Sequence, residues 1–417
     1  MKISILLPTR DRLELLRRAV ESVRRLDDAD WEIVVSDNVS RDDVHGFIAG
    51  LADDRVRYVR TPHTLPVAEN WTNALDHATG DYVLMLGDDD GLLDDYFVRT
   101  RELIERFGEP DVIYHSALVY AYPDVLPEAP DGYLRSEGYA EFLHDAREPF
   151  RLSRDRARDL VRGAMDFELR YGFNMQFATI KRSFIDHQSH SGPFFRSPFP
   201  DYFAMNLAFA RAESIVVEPR PLVIIGVSPR SYGFFHNNAR EAEGRQFLEG
   251  GGDERERGHL LPGSNINDGW LGAMEDLSHE LDDPGLRPNY DRYRTLQIAY
   301  VYEGRALRRT VTAEQFARLR SAISWGERLR YDAAFGALAL AARVLGRPGR
   351  HLMSVALIVA EGQFPLWAPG LDPDHYEDIV DVARRVTPAD YPLRWGTPPH
   401  ARLRAALRRC FGWRVPD

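Results

Sequence analysis

Three consecutive carboxylates, Asp88, Asp89 and Asp90, directly follow the apolar run Tyr82 to Leu86, with Asp94 and Asp95 close behind. The run reads as a strand buried on both faces, so the acids stand at a strand end. Like charges at this spacing either raise one another's pKa or recruit a cation, and a strand end facing a cleft suits a hard divalent ion held through oxygen. The structural alternative is an Asp-rich turn capping the helix that begins near Leu93, because Asp is favoured at helix N-caps and against the helix dipole. A cap uses one or two acids. Three in a row point to metal or phosphate chemistry.

The elements that must position them alternate. Ile3 to Leu7 reads as a first strand ended by Pro8-Thr9-Arg10-Asp11, and Leu13, Leu15, Leu16, Ala19, Val20 and Val23 follow at helical spacing. Trp31 to Ser36 is a second strand ending in Asp37-Asn38, a helix covers 42–52, and Val56 to Val59 is a short third strand. A helix over Val67 to Ala78, closed by Gly80, leads into the aspartate strand. Strands alternating with helices imply βαβ units in a mainly parallel sheet flanked by helices, with ligands bound beyond the carboxyl ends of the strands. Thr9-Arg10-Asp11, Asp37-Asn38 and Asp88-Asp89-Asp90 would then share one edge, as a nucleotide site requires. No GxGxxG follows the first strand and no GxxxxGK[ST] occurs, so a diphosphate held here needs a metal rather than a Gly-rich nest.

Beyond Phe107 a fifth strand is expected at Asp111 to Tyr114, then an irregular insertion over 120–165, either solvated or facing an acceptor, with a helix from about Arg154 to Ala164. Asn174 to Ile180 is strand-like, and Asp201, directly after Pro200, opens another helix. Ser214 to Val217 and Pro221 to Val227 read as two strands. The stretch 239–260, with Gly250-Gly251-Gly252, is expected to be a mobile linker, and 261–417 an α-helical C-terminal region. Its segment 401–413 is basic and amphipathic, fit either for peripheral contact with an anionic membrane surface or for packing on the tail's own core.

The composition is that of a globular protein: 417 residues, 44% hydrophobic and 28% charged. A net charge of -11 opposes a general nucleic-acid binder, which needs a basic surface. The single cysteine, Cys410, excludes an intramolecular disulfide and fits a reducing compartment. With no secretory signal and no apolar run long enough to span a bilayer, a cytoplasmic location is expected.

Leu7 to Arg12, Val35 to Asn38, Glu69 to Leu75 and Gly80 to Asp90 together resemble the family 2 glycosyltransferases of the GT-A fold, in order and spacing, over about the first 115 residues. The resemblance implies an inverting, metal-dependent (Mn²⁺ or Mg²⁺) transfer of a sugar from a UDP-, GDP- or dTDP-sugar to a glycan or lipid-linked acceptor. It places Pro8, Thr9, Arg10, Asp37, Asn38 and Asn70 around the donor and puts the DxD motif on Asp88-Asp89-Asp90. The last acid, Asp90, is the usual metal ligand, Asp88 and Asp89 serve metal and donor, and which two form the DxD pair stays open. The family's base falls on Asp201, where Pro200-Asp201 replaces the commoner Glu-Asp, and His236 corresponds to a histidine some GT-A enzymes supply to the metal. Arg230 and Lys181 are candidates to offset diphosphate charge. The Gln-x-x-Arg-Trp motif of the processive synthases is missing, which implies a non-processive enzyme. The competing readings are a sugar nucleotidylyltransferase, which would want a Gly-rich basic loop after the first strand, and a nucleotide-binding, non-catalytic assembly protein.

Overall fold

The first sheet strands are apolar on both faces, and both faces are covered. In the computed structural model, which describes residues 1–125, 130–137, 140–143, 146–188, 192–196, 199–237, 240–249, 260–305, 311–337, 340, 344 and 375–387, the chain forms a central sheet flanked by helices. Its N-terminal half runs β1 (Ile3–Thr9), α1 (Leu13–Arg24), β2 (Trp31–Asp37), α2 (Val44–Gly50), β3 (Val56–Arg60), α3 (Val67–Asp76), β4 (Tyr82–Met85), β5 (Gly91–Leu92), α4 (Tyr96–Phe107) and β6 (Val112–Ala121). There follow β7 (Tyr133–Glu137), β8 (Phe150–Leu152), α5 (Arg154–Met165), β9 (Ala178–Lys181), α6 (Arg182–Gln188), α7 (Pro200–Arg211), β10 (Ile215–Val227), α8 (Tyr232–Asn237) and α9 (Glu241–Glu249). The C-terminal part holds α10 (Asn265–Leu281), α11 (Tyr290–Glu303), α12 (Ala313–Ala322), a helix through residues 325–337 (α13) and α14 (Ile379–Arg385).

The strand order is β3-β2-β1-β4-β9-β6-β10-β5, with β7 paired to β6 and β8 to β10. β3, β2, β1 and β4 are mutually parallel, and their register sets Thr9 beside Asp37 and Asp37 beside Arg60. The expected shared edge therefore exists. Past β4 the sheet is mixed, because β9 lies antiparallel between β4 and β6.

Several elements differ from the sequence reading. The fifth strand, β6, runs on to Ala121, since all ten of its residues are buried. The two strands expected on either side of Pro221 are one, β10, whose register shifts at Pro221 where the ladder loses a donor. Within 120–165, β7 and β8 join the sheet, and the stretch expected as a mobile linker carries α9. In the C-terminal region, Trp270 of α10 donates to the Ala164 carbonyl at 2.9 Å and shares one hydrophobic cluster with β1, β2 and β4. Within the expected helical region, the segment 401–413 lies outside the described residues.

At the carboxyl edge the chain leaves β1 and β2 through left-handed residues, Asp11 (φ 55°) and Val39 (φ 58°). Asp tolerates this region; a β-branched residue does not. The two turns are stitched together, the Asp11 amide donating to Ser40 Oγ at 3.0 Å and the Arg41 amide to Asp11 Oδ1 at 2.7 Å. Relief of strain at Val39 outweighs the extra chain entropy of glycine, so Val39→Gly is expected to raise stability by about 0.5–1 kcal/mol, read as a higher urea midpoint at unchanged slope. A lower midpoint would show that Val39 is not strained.

Candidate active site

β4 ends at Met85, and Gly87 turns the chain so that Asp88, Asp89 and Asp90 are all buried, each less than a tenth exposed. A carboxylate in such surroundings must be hydrogen-bonded or paired. Asp88 accepts from Thr9 Oγ1, at the end of β1, at 2.7 Å and pairs with Arg12 Nη1, from the loop that follows, at 2.7 Å. Asp89 Oδ2 accepts from Ser228 Oγ at 2.8 Å, just past the end of β10. Asp90 accepts from the Gly87 amide at 2.7 Å, the Gly226 amide at 2.8 Å and Gln176 Nε2 at 2.7 Å. A side chain at Gly226 would stand 1.8 Å from the Asp89 carbonyl, so β10 and the aspartate loop approach as closely as backbones do.

One guanidinium serves three acids. Burial raises the Asp88 pKa against the pull of Arg12, and burial together with the Asp89 charge pushes Asp90 up to about 7. Arg12 is itself anchored: its Nη2 donates to the Arg230 carbonyl at 2.5 Å, its second nearby acid is Asp89 at 3.8 Å, and its guanidinium lies over the Phe247 ring of α9 at 5.0 Å.

On the neighbouring strand end, Asp37 is fully buried and accepts from Tyr58 Oη at 2.7 Å, Arg60 Nη1 at 2.6 Å and the Ser40 amide at 2.8 Å. Asn38 clasps the backbone of Leu65 through both its amide atoms, at 2.8 Å each, and its own amide donates to the Thr9 carbonyl at 2.9 Å. Asn70 accepts from Ser36 Oγ at 2.6 Å. Asn38 thus fastens the Leu65 loop to the end of β2, and Asn70 fastens α3 there. Pro8 is half-buried and Arg10 exposed on the same loop as Thr9.

Asp201 lies in the first turn of α7 rather than at its cap, which is Phe199. It accepts from the Tyr202 amide at 3.1 Å, and burial pushes its pKa up to about 7. Its neighbour Tyr202 packs on Phe173 at 5.1 Å, and Gln176, which holds Asp90, follows Phe173 by three residues.

Two expectations change. His236, the expected metal histidine, lies in α8, and its side chain is outside the described residues. Lys181 pairs in register with Tyr82 at the start of β4 and binds Glu109 at 2.8 Å, so it sits at the opposite edge of the sheet from the aspartates. Arg230 stays at the site, its guanidinium bonded to the Asp11 carbonyl and its own carbonyl to Arg12. Sequence reasoning assigned no role to Arg12, although it stands in the quoted Leu7 to Arg12 stretch, and had no signal for Gln176, Gly226 or Ser228, which reach Asp89 and Asp90 only through the fold.

Among the described residues no group of three or more His, Cys, Asp or Glu side chains converges as a ready metal-binding set. The donor chemistry nevertheless fits a hard divalent cation: oxygen ligands only, with three buried acids and one arginine to balance them.

Residues 4–156 match the family model for glycosyl transferase family 2. A GalNAc(5)-diNAcBac-PP-undecaprenol beta-1,3-glucosyltransferase from Campylobacter jejuni is 39% identical over 95 residues, 22% of this chain and 31% of that protein. A putative colanic acid biosynthesis glycosyl transferase, WcaA, from Escherichia coli K12 is 31% identical over 90 residues, 21% of this chain and 32% of its own length. The chain thus spans about a third of the length of these curated relatives. Among solved structures, residues 1–349 of S. aureus TarS in complex with UDP-GlcNAc align at a TM-score of 0.48 and 13% identity, covering 90% of this chain and 97% of that one. The family model covers the part of the chain that carries the aspartate cluster and the ends of β1 and β2.

Proposed function

We propose that this chain is an inverting, non-processive glycosyltransferase that moves a sugar from a nucleotide-diphosphate donor to a hydroxyl of a glycan or lipid-linked acceptor. The observation that carries the reading is the convergence of Asp88, Asp89 and Asp90 with Thr9 and Arg12 on the sheet edge that also holds Asp37. The family match and the undecaprenol-linked acceptor in the Campylobacter relative's name support it.

The donor's base and ribose lie against Pro8 to Arg10 and the Asp37-Asn38 turn, and its diphosphate faces the aspartates. Asp88 and Asp90, with Asp89 beside them, would hold Mn²⁺ or Mg²⁺, whose charge offsets that of the departing diphosphate. Asp201 takes the proton from the acceptor hydroxyl as that oxygen bonds to the anomeric carbon and the bond from that carbon to the diphosphate oxygen breaks. A carboxylate with a pKa of about 7 is a stronger base than an ordinary one and is half-charged at neutral pH. Attack opposite to the leaving group inverts the anomeric centre.

We assign the work to the cytoplasmic side of a membrane, in keeping with a lipid-linked acceptor. Among the described residues no helix is long and apolar enough to cross a bilayer.

With UDP-, GDP- and dTDP-sugars as a donor panel, turnover is expected to require Mn²⁺ or Mg²⁺ and to fall by about 10²-fold or more in Asp90→Ala, the loss of one charged ligand from the leaving-group site. Full activity in EDTA for both proteins would overturn the reading.

Asp201 gives a second check with its sign fixed. The folded pKa of about 7 lies above the ordinary Asp value of about 3.8 in the unfolded chain, so the folded state holds this proton more tightly, and the stability penalty of ionising Asp201 grows as pH rises from about 4 to about 7. Asp201→Asn should therefore raise the melting temperature at pH 8 and leave it nearly unchanged at pH 4. The same variant should lose about 10²–10⁴-fold in turnover, and the unsubstituted enzyme should show an acid limb near pH 7. A variant that keeps turnover would remove Asp201 from the role of base.

A further inference from the structure

The C-terminal region sends one segment back to the transferase sheet. α14 is capped by Asp378, whose carboxylate accepts from the Val380 and Asp381 amides at 2.8 and 2.9 Å. Ile379, Val380, Val382 and Ala383 are buried in a small apolar cluster with Leu93, Tyr120, Tyr122 and Ile224. This cluster is separate from the main core and lies directly behind the aspartate loop.

Three of the pieces of chain that hold or carry the aspartates reach it. The first is α1, which begins next to Arg12: Leu15 packs on the cluster, Arg18 Nε binds Asp378 at 2.8 Å, and Glu21 binds Arg384 at 2.5 Å. The second is β5, which begins immediately after Asp90: a side chain at Gly91 would stand 3.3 Å from Ile379 Cδ1 and 3.3 Å from Ser22 of α1, and Ser22 Oγ accepts from the Leu92 amide at 3.2 Å. The third is β10, where Ile224 and Val227 of the cluster flank Gly226, the donor to Asp90, and lead to Ser228, the donor to Asp89. Tyr120 Oη donates to the Tyr376 carbonyl at 2.7 Å. Its ring neighbour Tyr122, 4.9 Å away, has a buried hydroxyl with no hydrogen-bond partner among the described residues, close enough to Asp89 to feel its charge.

We propose that residues 376–386 are a brace for the aspartate loop, with Ile379 and Val382 as positioning residues that hold α1, β5 and β10 at the spacing the three acids require. Self-repelling carboxylates push their loop open, and β5 is two residues long, too short to resist on its own ladder bonds. Apolar backing from α14 supplies the resistance. The inference deepens the transferase reading, but its structural half stands without it.

The test uses the full chain carrying Val382→Asp, which places a charge in the cluster, and Ile379→Ala, which only loosens it. Hydrogen exchange by mass spectrometry is expected to speed up by about tenfold in peptides covering 86–92 and 224–230 for Val382→Asp, with 31–37 unchanged. Donor turnover should show kcat lowered by about tenfold with the donor KM within about twofold, because bound donor is held but the acids are misplaced. If Val382→Asp fails to fold, Ile379→Ala gives the same pattern at about threefold. Faster exchange confined to 375–387, with kcat within about twofold of the unsubstituted enzyme, would overturn the proposal. If no donor is turned over by any form of the protein, the transferase reading fails and the exchange pattern alone decides the brace.

Discussion

Burying three adjacent carboxylates against one guanidinium is the constraint from which the rest of this site follows. Charges removed from water must be paired or neutralised, and Arg12 can pair fully with only one of the three. It takes Asp88 at 2.7 Å and stands 3.8 Å from Asp89. The remaining acids are met with neutral donors: Ser228 on Asp89, and Gln176 with two backbone amides on Asp90. Hydrogen bonds of this kind orient a carboxylate but do not cancel its charge. Asp90 accordingly answers with a pKa near 7, and the cluster keeps an appetite for a cation.

The sheet explains why these groups can meet at all. Parallel pairing without slippage brings the ends of β1, β2 and β4 to one edge, so Thr9, Asp37 and the aspartates come from loops that start at the same height. Antiparallel neighbours would have scattered them across both edges. β10 pairs with β5 in the same sheet, and the absence of a side chain at Gly226 lets its backbone donate directly to Asp90. The loops are stiffened by polar pins, Asn38 on Leu65 and Asn70 on Ser36, which rigidify the strand ends without spending charge.

Much of this was legible in the residues. β1 to β4 and the helices between them follow from apolar runs of strand length alternating with helical periodicity, and the aspartate cluster is conspicuous because its members are adjacent in sequence. What escaped was whatever depends on distant chain segments. Gln176 sits in an unremarkable strand-like run, yet a 3₁₀ turn at Met175–Phe177 aims it at Asp90. The break at Pro221 looked like a strand boundary, because a missing amide donor reads the same whether the strand ends or only bulges. α9 was read as linker because a flanking glycine run outweighed its own weak amphipathic pattern, and it is Phe247 from that helix that covers Arg12.

Asp201 and Asp90 reach the same perturbed state by different routes, and the difference separates their roles. Asp90 is raised by burial and by a neighbouring acid, so a bound cation would relieve it and return it to full charge. Asp201 is raised by burial, and its opposing influences are backbone amides at the start of α7 rather than a charged partner. Among the described residues no charged partner holds it, so its ionisation is set by burial and by what binds beside it. A group whose charge is restored by metal is suited to holding a diphosphate, and a carboxylate with a pKa near 7 and no cation bound to it is suited to taking a proton. On the proposed reading, one kind of side chain serves two tasks, separated by solvation and neighbours alone.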